Sequence, residues 1–308
     1  MKNDVPLDRR ALGMTLTRLA NADITAIAKD QLREPSRFPA RRIGITGAPG
    51  AGKSSLLGRL AMLRLPAGRL AVLAVDPSSP RSGGAILGDR IRMDSLDGAS
   101  ELYIRSLASR HSSDGLADNL PAMLDAMDDF GFLEVMLETV GVGQAEYAAR
   151  MQVDTLVLVL LPESGDIVQA MKAGIMEMAD IFVVNKADLP GARQMVTDIN
   201  RVAALARRSA DAWVPPVLLT AQTQPDSIAE LSRAIDAHQL WLQANHRREQ
   251  LLEQRARFRL ARLVEARVAD LVMRLDRSIF ELPLERQLEQ VVTQLTHYEP
   301  RPTTRRPA

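Results

Sequence analysis

The chain contains no cysteine. Disulfides, thiolate zinc sites and cysteine nucleophiles are therefore excluded, and the composition is compatible with a reducing cytoplasm. An excess of charge of one sign is also lacking. Lys and Arg number 39, Asp and Glu 38, and the net charge is +1. Nothing in that balance calls for nucleic acid or a charged membrane surface as a partner. Long apolar runs are missing. The longest, Leu156-Val157-Leu158-Val159-Leu160-Leu161, stops at Pro162 and is far too short to span a bilayer. The start, Met1-Lys2-Asn3-Asp4-Val5-Pro6, has no apolar core, so no secretory leader is expected. A soluble cytoplasmic protein is the expectation. What is present is ordinary globular composition, 46% apolar and 25% charged over 308 residues. That length suits one large domain with extensions or two small ones.

One stretch organises the rest. Gly47-Ala48-Pro49-Gly50-Ala51-Gly52-Lys53-Ser54 fits G-x-x-x-x-G-K-[ST], a phosphate-binding loop, with Ser55 following it. Arg42-Ile43-Gly44-Ile45-Thr46 before it reads as a buried strand, and Leu56, Leu57 and Leu60 after it have helical spacing. Glycines let several backbone N–H groups turn inward on phosphate oxygens, and the helix brings its positive end to the same place. Lys53 can reach the outer phosphates, and the Ser54 hydroxyl can ligate Mg²⁺.

The rest of the chain supplies the frame. Leu12, Leu16, Leu19, Ile24 and Ile27 give helical spacing over residues 7–32, before a break at Pro35 and Pro39. Apolar strand runs are read at 70–75, 102–105, 132–137, 155–161, 181–184 and 217–219. Helical patterns are read near 116–127, 167–178 and 195–208. This alternation predicts an α/β fold with a mostly parallel central sheet covered on both faces. Ligands in such sheets sit beyond the carboxyl ends of the strands, where Asp76, Glu138, Asn185 and Thr220 all fall. Residues 76–84 read as a polar loop of the kind that carries function. From Ser227 onward the pattern becomes long, charged, leucine-bearing helices, and no glycine follows Gly191. The predicted organisation is an N-terminal helical extension (1–38), a nucleotide domain (39–225), a C-terminal helical region forming a subunit interface (226–298) and a disordered tail (299–308).

Asn185-Lys186-Ala187-Asp188 matches the guanine-reading N-K-x-D motif. An ionised Asp188 only accepts hydrogen bonds. Guanine offers two N–H donors on one edge where adenine presents a bare acceptor, so Asp188 favours guanine. The stem of Lys186 can cover the flat base. Thr220-Ala221-Gln222 falls where backbone N–H groups close such a base pocket. Glu138-Thr139-Val140-Gly141 stands in the position of an Asp-x-x-Gly motif, its carboxylate serving the magnesium shell. Asp76 and Asp89 are further acids, and with Ser54 and Glu138 they make an all-oxygen set that suits Mg²⁺. Where many GTPases have a glutamine after the motif's glycine to orient water, this chain has Val142. Gln144 is the substitute candidate, and slow unassisted hydrolysis is expected.

These motifs resemble the MeaB/ArgK family of P-loop GTPases, within the dimerising SIMIBI class. The resemblance rests on the phosphate loop, Asp76-Pro77-Ser78-Ser79-Pro80, Gly84-Ala85-Ile86-Leu87-Gly88-Asp89-Arg90, Glu138 through Gln144, Gly165-Asp166, Gln169, Lys172-Ala173-Gly174-Ile175-Met176-Glu177 and the N-K-x-D motif. It implies a P-loop GTPase fold whose C-terminal helices form a homodimer. It also implies GTP and Mg²⁺ as ligands, and a role as chaperone of an adenosylcobalamin-dependent acyl-CoA mutase, gating cofactor loading, protection and reactivation. By resemblance, residues 76–92, 138–150 and 161–172 are three switches, and Lys172 enters the nucleotide site when the third closes. There it would stabilise charge on the phosphoryl group beside Lys53, Glu138 and Gln144. The expected partner is methylmalonyl-CoA mutase or, given departures at Arg81-Ser82, at residues 113–118 and at Glu163, a related 2-hydroxyisobutyryl- or isobutyryl-CoA mutase.

Three rivals are weighed against that reading. A metal-delivery GTPase of the same class needs soft or imidazole ligands, but His111, His238, His246 and His297 do not cluster in the sequence. A GTP-dependent kinase acting on a transport protein would be expected to carry a catalytic-loop signature, and no H-R-D is present. The third is a scaffold that binds nucleotide without hydrolysing it.

Overall fold

The computed structural model describes residues 6–22, 27, 39–77, 100–109, 119–139, 144–162, 175–205, 211–221 and 223–296. Its centre is a seven-stranded sheet of β1 (Arg41–Gly47), β2 (Leu70–Pro77), β3 (Leu102–Ser109), β4 (Glu134–Glu138), β5 (Thr155–Leu160), β6 (Ile181–Asn185) and β7 (Val217–Thr220). The order is β3-β2-β4-β1-β5-β6-β7 and every pairing is parallel. The chain leaves β1 toward one edge and later returns to build the other side. The strand order thus reverses around β1, and the crevice beyond its carboxyl end is where an open sheet binds ligands.

Eight α-helices accompany the sheet among the described residues: α1 (Arg9–Ala20), α2 (Lys53–Arg64), α3 (Leu120–Asp129), α4 (Gln144–Arg150), α5 (Ala192–Leu205), α6 (Pro225–Ala244), α7 (Arg247–Val272) and α8 (Leu284–Thr296). Alternation along β2 divides the core. Ala71, Leu73 and Val75 join α1, α3 and α4 on one face, while Leu70 and Val72 join α2 and α6 on the other. A third cluster seats α5 on Phe182 and Val184 of β6. With both faces covered, β4, β5 and β6 are buried along their whole length, hence their unbroken apolar runs.

Boundaries move for local reasons. α1 starts where the Asp8 carboxylate accepts the Ala11 N–H at 2.8 Å and ends at Ala20, Ile27 is helical again, and the rest of 23–32 lies outside the described residues. α3 begins at Leu120 with Pro121 in its first turn, later than the apolar spacing from 116 implies. β3 runs on to Ser109, pairing with β2 along its length. The helix read at 167–178 lies mostly outside the described residues, which hold a short 3-10 turn at Ile175–Glu177. The tail, 299–308, also lies outside them.

Packing continues across residue 226. α6 buries Ile228, Leu231 and Ile235 in the same cluster as β1 and α2, so the covering layer of the sheet extends well into the C-terminal helices. The far half of α6 is anchored by polar contacts. His238 Nδ1 lies 3.0 Å from Thr155 Oγ1, its ring packs against both Trp213 and Trp241, which also touch each other, and its Nε2 is 3.5 Å from Asp180. α7 is fixed by charge. Arg255 donates to Asp154 at 2.9 Å and Arg259 pairs with Asp125, while Arg42 of β1 pairs with Asp125 and Asp128.

Candidate nucleotide site

The phosphate loop has the shape its sequence implies. Gly47 ends β1 at φ 143, where a Cβ would collide with the Val159 carbonyl of β5. Gly52, at φ 83, caps α2, and a Cβ there would meet Asn185 Nδ2 at 2.5 Å. Only glycine combines that backbone with that closeness. Gly52 supplies no side-chain cap, so the first N–H groups of α2 are left to meet an anion. Pro49 and Gly50 form the exposed crest, Ala48 is half-buried and Ala51 is buried against the floor. Lys53 is buried and folds back, its Nζ donating to the carbonyls of Gly47 at 2.8 Å and Ala48 at 3.1 Å. That places an ammonium over the loop, where phosphate oxygens can replace the carbonyls. Ser55 follows on the first turn of α2, half-buried.

Ser54 Oγ donates to Glu138 Oε1 at 2.7 Å. A residue in the first turn of α2 and one at the end of β4, 84 positions apart, thus meet beside the loop. Both are buried, and both present oxygen, the donor type magnesium takes. Of the other proposed metal ligands, Asp89 and the Asp76 side chain lie outside the described residues, although the Asp76 backbone belongs to β2. Glu138 is held by its neighbour. Thr139 donates its N–H to the Ile45 carbonyl at 3.1 Å and its hydroxyl to Thr46 Oγ1 at 2.9 Å. This threonine pair was not evident from motifs. The available signal was its position, Thr46 as the last residue before the loop and Thr139 directly after the acid.

The base-reading segment is tied to the same loop. Asn185, at the end of β6, donates from Nδ2 to the Ala51 carbonyl at 2.7 Å and accepts the Thr220 hydroxyl on Oδ1 at 2.9 Å. Lys186 takes the left-handed conformation, φ 54, and its Nζ donates to the Gly50 carbonyl at 3.2 Å. Its stem therefore runs along the open side of the loop. Asp188 is exposed in the turn that follows, free to meet a base edge. The Ala187 N–H bonds the Thr220 carbonyl at 3.0 Å, and the Ala221 N–H is held by Ser227 Oγ at 3.3 Å. Ser227 is a support that motif reading missed. Gln222, Lys172 and Val142 lie outside the described residues, as does the side chain of Gln144, whose backbone opens α4. The first and third switch segments lie largely outside them too, while the second is described at 138–139 and 144–150.

The arrangement can clamp an anion between Lys53 and the N-terminus of α2, hold a cation on Ser54 and Glu138, and read a base with Asp188. Among the described residues no helix is long and apolar enough to cross a membrane.

Comparison with known proteins agrees with the geometry. A relative from Pyrococcus horikoshii named as a GTPase is 38% identical over 268 residues, covering 86% of this chain and 83% of its own. The mouse protein named methylmalonic aciduria type A homolog, mitochondrial, is 36% identical over 213 residues, 68% of this chain and 51% of that one. A solved structure titled LAO/AO transport system kinase shares the fold with a TM-score of 0.64, at 24% identity, over 95% of this chain and 100% of that one. The family model described as methylmalonyl Co-A mutase-associated GTPase MeaB matches residues 11–276, and the chain belongs to that family of P-loop, guanine-nucleotide-binding GTPases.

Proposed function

We propose that this GTPase is the nucleotide-driven chaperone of an adenosylcobalamin-dependent acyl-CoA mutase. It gates loading of the cofactor, protects the working enzyme and takes part in its reactivation. The observation that carries this reading is the family match over residues 11–276, whose description names a mutase as the associated enzyme. The site geometry is in keeping with it. Mg²⁺, held by Ser54 and Glu138 with Asp76 and Asp89, supplies charge neutralisation at the phosphates when bound. Lys53 orients the outer phosphates. Thr139 and Thr46 hold the Glu138 carboxylate against the loop, so movement of the following segment is felt there. Gln144 and Lys172 complete the catalytic set once the partner orders their segments. Hydrolysis is accordingly slow alone and faster with the mutase. The active unit is a homodimer formed through the C-terminal helices. The partner acts on methylmalonyl-CoA or on a related 2-hydroxyisobutyryl- or isobutyryl-CoA substrate.

The test is a pull-down from native extract with the protein locked by a non-hydrolysable GTP analogue, followed by phosphate-release assays with the captured mutase. Recovery of a cobalamin mutase subunit and an increased GTPase rate are expected. Capture of no mutase, with an unaltered rate when candidate mutases are added, overturns the proposal.

A further inference from the structure

Ser227 makes contacts that no motif calls for. Its hydroxyl donates to the Gln224 carbonyl at 2.6 Å and accepts the Ala221 N–H at 3.3 Å. A hydroxyl has one proton to give and lone pairs to receive, so both bonds form at once. The Gln224 N–H bonds the Ala221 carbonyl at 3.1 Å and closes the turn. Ser227 lies in the first turn of α6, and Ile228 and Leu231, which follow it, are buried in the sheet core. The serine is therefore fixed to a packed helix and reaches out of it to the end of β7.

What it holds there is one peptide plane. The Thr220 carbonyl and the Ala221 N–H belong to the same peptide group, which is planar and turns as a unit. Its N–H is on Ser227, and its carbonyl accepts the Ala187 N–H at 3.0 Å. Ala187 directly precedes Asp188, in a turn closed by the Leu189 N–H on the Lys186 carbonyl at 2.9 Å. A line of contacts thus runs from α6 through Ser227, the Thr220–Ala221 peptide and Ala187 to Asp188. Its middle is closed to solvent, since Ser227, Thr220 and Ala221 are 8%, 0% and 1% exposed. Asp188, at its end, is exposed. A buried N–H stripped of its acceptor is costly, so without the hydroxyl the peptide tilts to recover a bond. The tilt carries the Thr220 carbonyl with it and displaces the turn that bears Asp188.

We propose that Ser227 is a positioning residue for guanine selectivity. It touches no nucleotide. It holds the peptide that holds the Asp188 turn, so that the carboxylate meets both donors on the guanine edge. The inference rests on the reading of Asp188 as the acid that faces the base. Hydrogen bonds weaken steeply off their axis, so a displaced carboxylate serves two donors worse than one.

The test compares GDP with inosine diphosphate, which keeps the ring N1–H of guanine and lacks the 2-amino donor. Both are titrated by calorimetry with Mg²⁺ into the full-length wild type, Ser227→Ala, Ser227→Thr, Asp188→Asn and the Ser227→Ala, Asp188→Asn double variant. Thermal midpoints are recorded alongside. Ser227→Ala binds GDP about fivefold to tenfold more weakly, the worth of one hydrogen bond. Inosine diphosphate loses less, so the ratio of the two affinities falls. Ser227→Thr keeps the hydroxyl and the wild-type ratio. In the Asp188→Asn background, adding Ser227→Ala changes GDP affinity by less than about twofold, because the residue it acts through is gone. If alanine costs the fold, Ser227→Cys, of similar size and a weaker acceptor, gives the same comparison. Equal weakening of both nucleotides by Ser227→Ala, or full additivity of the two substitutions, marks Ser227 as a general support of α6 and overturns the proposal alone. An Asp188→Asn chain that binds GDP as tightly as wild type removes the base reading itself, and the proposal falls with it.

Discussion

Asp188 and His238 show how much a single side chain can decide. Asp188 stands exposed beyond β6, positioned by Asn185 and by the Ala187 N–H bond to Thr220. Its carboxylate accepts from both guanine donors, whereas an asparagine would present an N–H to one of them. Asp188→Asn should weaken GTP binding by about 10²-fold or more while leaving the fold untouched. Fluorescent-nucleotide titration with thermal melting checks both halves of that statement. His238 acts on stability instead. Burial first, then Arg150, holds its pKa below the usual 6.5, against the pull of Asp180 and Asp154 in the other direction. The unfolded chain therefore binds the proton more readily than the folded one. Stability contributed by neutral His238 is complete above pH 6.5 and is lost as pH falls below it. Asp180 acts in the opposite direction. Burial raises its pKa despite Arg150 and His238, so folding gains as pH falls through that raised value. Urea unfolding at pH 7.5 and pH 5.5 should show wild type weaker at the lower pH. His238→Phe, which keeps a ring against the two tryptophans, should lose most of that difference.

Among the elements, α7 depends most on a few charges. Asp154 accepts the Arg42 N–H at 2.7 Å on one oxygen and Arg255 at 2.9 Å on the other. Burial and the nearby Arg42 lower the Arg255 pKa, so its charge needs the aspartate. Asp154→Asn keeps the shape and removes the counter-charge. It should cost about 3–5 kcal/mol in urea unfolding. Arg257→Ala, which breaks an exposed pair with Glu253 on the same helix, should cost about 0–1 kcal/mol. The contrast also explains what could be read in advance. The strands were legible because burial on both faces demands unbroken apolar runs. The site was legible because its residues sit at strand ends in local motifs, so Ser54 and Glu138 were paired before their contact was seen. The Arg42, Asp125, Asp154 and Arg255 cluster was not legible. Its members lie far apart in sequence and each looks like a solvated charge. The share of α6 in the sheet core was not legible either, because its apolar residues continue the same pattern into the helices that follow.

For the whole molecule, the open question is what covers the C-terminal helices. α8 carries Leu284, Leu288 and Val292, each more than half exposed and spaced by four residues. Leu260, Val264 and Phe280 are exposed nearby in sequence. A helix with such a stripe gains little by facing water, and an exposed apolar stripe marks an association surface. A second copy of the chain is the occupant proposed above, and symmetry lets one stripe answer another. A stable pair of this kind buries about 1,200–2,000 Å² in total, which one short helix cannot supply alone. The exposed positions of α7 must therefore contribute as well. Leu288→Glu with Val292→Glu places two carboxylates in each copy at the centre of that surface. Light scattering after size exclusion should show a dimer for wild type and a monomer for the double variant. GTP binding should persist in the monomer, because the phosphate loop, Asn185 and Asp188 are all carried by a single chain. A double variant that stays dimeric would move the interface elsewhere. Loss of nucleotide binding on dissociation would instead mean that the partner copy contributes to the site.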